Sequence, residues 1–152
     1  MDLQRVFSEA IELHMQGQLE HAKLKYQQVL RAVPENVNVL GNLGIVCRDL
    51  GNIEQALDYC RQAVTGAPQD PTQHLNLGAV FEAANELDNA RECYEKSLKL
   101  APAHPKALNN LGKIMHLQGE PAKALVYFKR ALAVEPQYPL ALNNAGVLLR
   151  EQ

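Results

Sequence analysis

Four asparagines carry the clearest chemical pattern in the chain. Asn42, Asn76, Asn110 and Asn144 recur at steps of 34 residues, each two places before a glycine, in the stretches GNLG, LNLG, NNLG and NNAG. A primary amide offers donors and an acceptor together, which matches the N–H and C=O of an extended peptide backbone whatever its side chains. Inside a helix Asn costs roughly half a kcal/mol relative to Ala, because its amide competes for the backbone. Its return in stretches whose Leu and Ala spacing is helical therefore points to a task. Two tasks fit: gripping an extended segment of another protein, which is the expectation, or bonding a neighbour and setting how the helices stack.

No other set of residues has the spacing of a reactive or metal-binding site. The five histidines contain no pair at the i, i+4 spacing of helical metal ligands. His14 and His116 hold equivalent places three periods apart, and His74 stands at an apolar packing position, so it is expected in or near the core. Cys47, Cys60 and Cys93 are an odd number without C-x-x-C spacing and are expected as reduced core thiols. Acidic residues such as Glu54, Asp58, Glu92 and Glu95 suit solvated helix faces paired with Lys or Arg. No phosphate loop, nucleophile elbow or dinucleotide fingerprint is present. The expectation is a non-enzyme, with no catalytic residues, no metal and no cofactor.

The elements that position the asparagines follow from the period. Pro34, Pro68, Pro102 and Pro136 share the 34-residue step; so do Gly44, Gly78, Gly112 and Gly146, with Ala10 one period earlier. Ala22, Ala56, Ala90 and Ala124 keep it, and four places later stand Tyr26, Cys60, Tyr94 and Phe128. Small residues let two helices cross closely while the large one fills the volume between them. Gly17, Gly51, Asn85 and Gly119 suit a left-handed turn between the two helices, and each Pro prevents the second helix from continuing. Pro121 falls in a first helical turn, where its missing N–H costs nothing. One unit is a helix-turn-helix pair, and a repeat of this length predicts an all-α solenoid.

The stretches LGNLGIVCRDLGNIEQALDYCRQAVTGAP, 40–68, and LNNLGKIMHLQGEPAKALVYFKRALAVEP, 108–136, resemble the tetratricopeptide repeat family over essentially the whole chain. The expected single domain has repeats at 3–36, 37–70, 71–104 and 105–138, followed by a lone first helix at 139–152. Glu9 and Ala10 depart from the family pattern as a terminal unit often does, and Cys47 and Cys60 replace both aromatics of the second repeat. The resemblance implies a right-handed superhelix whose first helices line a concave groove. It also implies a protein or peptide partner. A similar asparagine ladder marks the superhelix of O-linked N-acetylglucosamine transferases.

At about 100° per residue, the asparagines fall near 200° from the first packing residue of their helix, away from the contact within the pair. They belong on the groove face. The same arithmetic adds Asn38 and Lys106 near the start of two helices and Ile45 and Lys113 further along. Lys106 and Lys113 flank Asn110 and would form a positive spot for an acidic side chain or terminal carboxylate. The lysine and asparagine set that grips chaperone tails is replaced on the first two helices by Phe7, Ile11, Gly41 and Ile45, so that partner is disfavoured.

A net charge of −2, from 15 basic and 17 acidic residues that are interspersed, makes no phosphate-tracking stripe, and nucleic acid is not an expected partner. No apolar run approaches the ~20 residues of a membrane span, and the first five residues lack the order of a signal peptide, so the expected location is the cytoplasm. The last helix lacks a mate. Leu142 and Leu149, with small residues at Ala145 and Gly146, would present an apolar stripe, covered in a homodimer or by the next helix of a longer protein of which this is the N-terminal part. In that longer protein the repeats could target a downstream catalytic domain.

Overall fold

A computed structural model describes all of residues 1–152, and every regular element in it is helical. The nine helices are α1 (Leu3–Met15), α2 (Leu19–Ala32), α3 (Val37–Asp49), α4 (Ile53–Gly66), α5 (Pro71–Ala83), α6 (Leu87–Leu100), α7 (Pro105–Leu117), α8 (Pro121–Val134) and α9 (Pro139–Glu151). At 13 or 14 residues each they are near the length below which an isolated helix is marginal in water. Their stability must come from packing on neighbours, as in any solenoid.

Each odd helix pairs antiparallel with the even helix that comes after it, through a turn whose central residue has positive φ: 75° at Gly17, 82° at Gly51, 79° at Gly119 and 60° at Asn85. Asn is one of the few side chains that tolerate this region, which is why it can stand in for glycine at position 85. The bonds around each turn repeat as well: Asn85 N–H donates to Glu82 O at 2.9 Å and Glu86 N–H to Phe81 O at 2.9 Å. Odd helices α1, α3, α5 and α7 are capped by side chains that accept an orphan backbone N–H, from Asp2, Asn36, Asp70 and His104 respectively.

Within a pair, the glycine of the odd helix lets the large residue of the even helix lie against its backbone. A Cβ on Gly78 would stand 2.7 Å from the Tyr94 ring, and one on Gly112 would stand 2.6 Å from the Phe128 ring; at Gly44 it would meet the Cys60 sulfur. Tyr26, Cys60, Tyr94 and Phe128 are all buried, and burying an aromatic side chain of this kind stabilises by roughly 1.5–3 kcal/mol. Between units, odd helices also meet odd helices, α3 on α5 most closely, where Gly41 admits the side chains of Gln73 and Asn76. Even helices do not approach each other in this way. One hydrophobic core runs from Val6 to Leu148.

Candidate protein-binding face

The asparagines sit on the odd helices, half-buried at the junction between one helix and the next odd helix. Asn76 Nδ2 lies 3.0 Å from the place a Cβ would take on Gly41, so its amide rests on the backbone of α3. Asn144 Nδ2 donates to Asn109 Oδ1 at 2.9 Å, and Asn109 Nδ2 donates to Asn110 Oδ1 at 3.4 Å, which links three amides across α7 and α9. Asn76 completes no side-chain hydrogen bond of ordinary geometry within the protein, whereas the Asn42 amide faces the Tyr26 hydroxyl. Of the other expected groove residues, Asn38 and Lys106 are exposed and Ile45 is half-buried against the core.

Beneath this face lie two tyrosines from even helices. Tyr94 Oη donates to Glu82 Oε2 at 2.9 Å, while Tyr26 Oη is buried with no partner, the ring standing edge-on to His14 with centroids 6.4 Å apart. Burial raises the pKa of both phenols; the Glu82 charge pushes Tyr94 further up, and the amides of Asn42 and Asn110 pull Tyr26 and Tyr94 respectively the other way. Each tyrosine thus sits close to the ladder asparagine of the next repeat.

Lys113 is ion-paired with Glu82, so the positive spot expected around Asn110 is compensated from the neighbouring helix and only Lys106 projects an unpaired charge there. The sequence reading also missed two histidine–carboxylate contacts at the C-terminal ends of the odd helices. His14 Nε2 lies 3.7 Å from Asp49 Oδ2, whose other oxygen, Oδ1, is held by Arg48 at 2.6 Å, and His116 Nε2 lies 3.0 Å from Glu151 Oε2. The signal was available: the partners are 35 residues apart in both histidine pairs, one period plus one. His14 and His116 do not meet each other. Among the acidic residues of even helices, Glu92 pairs with Lys96 and Glu95 with Arg91, whereas Glu54 and Asp58 make no ion pair.

Ala145 does not belong to the open face of α9. It stands at the place of Leu43 and Leu111 and is buried because α8 packs on α9; the exposed stripe consists of Leu142, Gly146 and Leu149. The three cysteines are free and buried, and burial pushes the Cys60 thiol up to about 12 and that of Cys93 up to about 11. A cleft of 620 Å³ lies away from the asparagines, between the start of α3 and α4, with Leu40, Asp58, Arg61 and Gln62 in its walls. No cluster of His, Cys, Asp and Glu could hold a metal ion, and no helix is long and apolar enough to cross a membrane.

Comparison with known proteins gives the family. Two family models, each described as tetratricopeptide repeat, match residues 8–71 and 71–137. No curated protein matches the sequence. Among solved structures, TTC0263, a thermophilic tetratricopeptide repeat protein in Thermus thermophilus, superposes with a TM-score of 0.90 at 20% identity, over 98% of this chain and 82% of that one. Pseudomonas aeruginosa pilF superposes with a TM-score of 0.89 at 18% identity, over 98% of this chain and 68% of that one. YrrB, a tetratricopeptide repeat protein with an unusual peptide-binding site, gives a TM-score of 0.75 at 24% identity, over 93% of this chain and 73% of that one. At these identities the likeness establishes the fold. With repeat matches running without a gap from residue 8 to residue 137, the chain belongs to the tetratricopeptide repeat family.

Proposed function

We propose that the chain is a protein-interaction adaptor that holds an extended segment of a partner protein along its odd-helix face. The observation that carries this reading is the recurrence of half-exposed amides at one place on successive odd helices, of which Asn76 completes no side-chain hydrogen bond of ordinary geometry within the protein. Their donors and acceptors can pair with the main chain of a ligand, which gives a grip tolerant of ligand sequence. The surrounding surface suits a segment without strong charge: Ile45 offers apolar contact, and Lys113 is already neutralised by Glu82. Similarity of fold to YrrB, whose structure is described as having a peptide-binding site, supports the reading by analogy.

Binding rather than catalysis is part of the proposal. The groups whose pKa moves furthest, Tyr94, Cys60 and Cys93, are buried packing residues raised mainly by desolvation rather than members of an acid–base pair in a cleft. Three buried free thiols suit a reducing compartment such as the cytoplasm. The same face would serve equally as the targeting part of a larger enzyme.

The Asn144 to Asn109 bond favours a second role at the C-terminal end, where the amides set the stacking of α7 and α9. One experiment separates the two. Affinity capture with the native chain is compared with an Asn42→Ala, Asn76→Ala, Asn110→Ala variant of equal helicity. Loss of specific partners supports the grip on a peptide, while unchanged capture with a lower melting temperature makes the asparagines stacking residues.

A further inference from the structure

The whole-chain charge of −2 hides a local imbalance. Between Lys96 and Val134 the sequence carries seven cations against one acid, Glu120, whereas the remainder carries eight cations against sixteen acids. Three of the seven are neutralised in place: Lys96 by Glu92, Lys113 by Glu82 and Lys123 by Glu120. The other four, Lys99, Lys106, Lys129 and Arg130, make no ion pair, and all are exposed.

These four gather at the junction of α6 with α7. Lys99 lies in the last turn of α6 and Lys106 in the first turn of α7, while Arg130 reaches from α8 to the Pro102 carbonyl between them at 3.5 Å. The period places Lys129 on the same side. Pro102, Lys129 and Arg130 stand two periods after Pro34, Arg61 and Gln62, and those three line one cleft of the second unit. That cleft also holds Glu35 and Asp58, whose places are taken here by Ala103 and Val126. The surface thus loses both carboxylates and carries two cations instead of one. We propose that the α6–α7 junction, with Lys99, Lys106, Lys129 and Arg130, docks a short acidic segment of a partner protein.

Carboxylates of an extended segment answer these unpaired ammonium and guanidinium groups, and the Arg130 fork adds direction to the bond. A nucleic acid fits less well. Its phosphates would run on from four cations towards a remainder with twice as many acids as cations, where like charges repel within a Debye length of about 8–10 Å. A second copy of the chain offers no acidic run: its carboxylates without ion pairs, such as Glu12, Glu20, Glu35 and Glu54, are fixed on four different parts of the fold. Only Lys106 is shared with the odd-helix face, so the junction acts whether or not the asparagines grip a peptide.

The probe is a fluorescein-labelled hexaglutamate peptide, followed by anisotropy with the full chain at low ionic strength. Saturable binding is expected, and it should weaken at least about tenfold with Lys129→Glu and Arg130→Glu together. Lys99→Glu, on a different helix, should weaken it in the same sense. The matched control, Arg31→Glu with Arg150→Glu, makes the same change in net charge at exposed cations elsewhere and should weaken binding less than about twofold. A chain with Asn42→Ala, Asn76→Ala and Asn110→Ala should bind the probe as the native chain does, which separates this site from the proposed groove. Circular dichroism checks that each variant remains folded. Absence of saturable binding, equal weakening by both charge pairs, or loss of binding in the asparagine variant would overturn the proposal. So would tighter binding of hexathymidylate than of the peptide, or sedimentation of the unliganded chain as a dimer that Lys129→Glu and Arg130→Glu disperse.

Discussion

Asn144 of α9 donates its side-chain amide to Asn109 of α7 at 2.9 Å, across two consecutive repeats. Asn109 is 2% exposed, so its oxygen has little access to water and depends on that donor. The pair is a polar clasp in the seam between odd helices. It holds the terminal helix, which has a neighbour on only one side.

Removing the donor should therefore loosen α9. Asn144→Ala leaves a buried acceptor without a partner, a loss of about 1–3 kcal/mol, partly offset by roughly half a kcal/mol from the better helix propensity of Ala. A double-mutant cycle with Asn109→Ala isolates the bond from the propensity change, and a coupling energy near 1 kcal/mol in chemical denaturation is expected. A coupling of zero would mean that the clasp contributes nothing and that α9 is held by Ala141, Ala145 and Leu148 alone.

The glycines at one repeat position should respond in opposite senses. Gly112→Ala places a methyl 2.6 Å from the Phe128 ring and 3.2 Å from the Ala124 carbonyl oxygen, so ring and backbone must both yield, at a cost of about 1–3 kcal/mol. Gly146→Ala meets no atom within 4 Å and should stabilise by roughly 0.5–1 kcal/mol through helix propensity. Thermal melts of the two variants measure the contrast. Equal destabilisation by both would contradict the open face on α9.

This contrast also marks how far the sequence can be read. Helix order and turn positions were legible because five kinds of residue keep one period, and each answers to local backbone geometry: a left-handed turn at Asn85, a close crossing at Gly78, a filled gap at Tyr94. What each groove side chain touches was not legible, since it depends on the neighbouring repeat. Asn144 finds an amide at position 109, whereas Asn76 finds the bare backbone of Gly41 at the equivalent place. Lys113 finds Glu82, and with it loses the free charge its position suggested. Ala145 was misplaced for the same reason, because its burial is decided by α8 of the preceding repeat rather than by the missing mate of α9.

His104 links the stability of α7 to pH. Its Nδ1 accepts the backbone N–H of Ala107 at 3.4 Å, a role open only to the neutral ring, and burial lowers its pKa below the usual value, with Lys106 adding to the shift and a backbone hydrogen bond opposing it. The unfolded chain thus binds this proton more readily than the folded one. The cap's contribution is complete above the unfolded value of about 6.5 and is lost as pH falls through the lower folded value. Carboxylates titrate well below this window, near 4, and the other four histidines are common to the native chain and a His104 variant, so the difference between the two chains in the fall of melting temperature from pH 7.5 to pH 5.5 isolates His104. His104→Asn supplies a capping oxygen that does not titrate. The variant should match the native chain at pH 7.5 and exceed it at pH 5.5, and an identical pH slope in both chains would show that the cap does not titrate with folding.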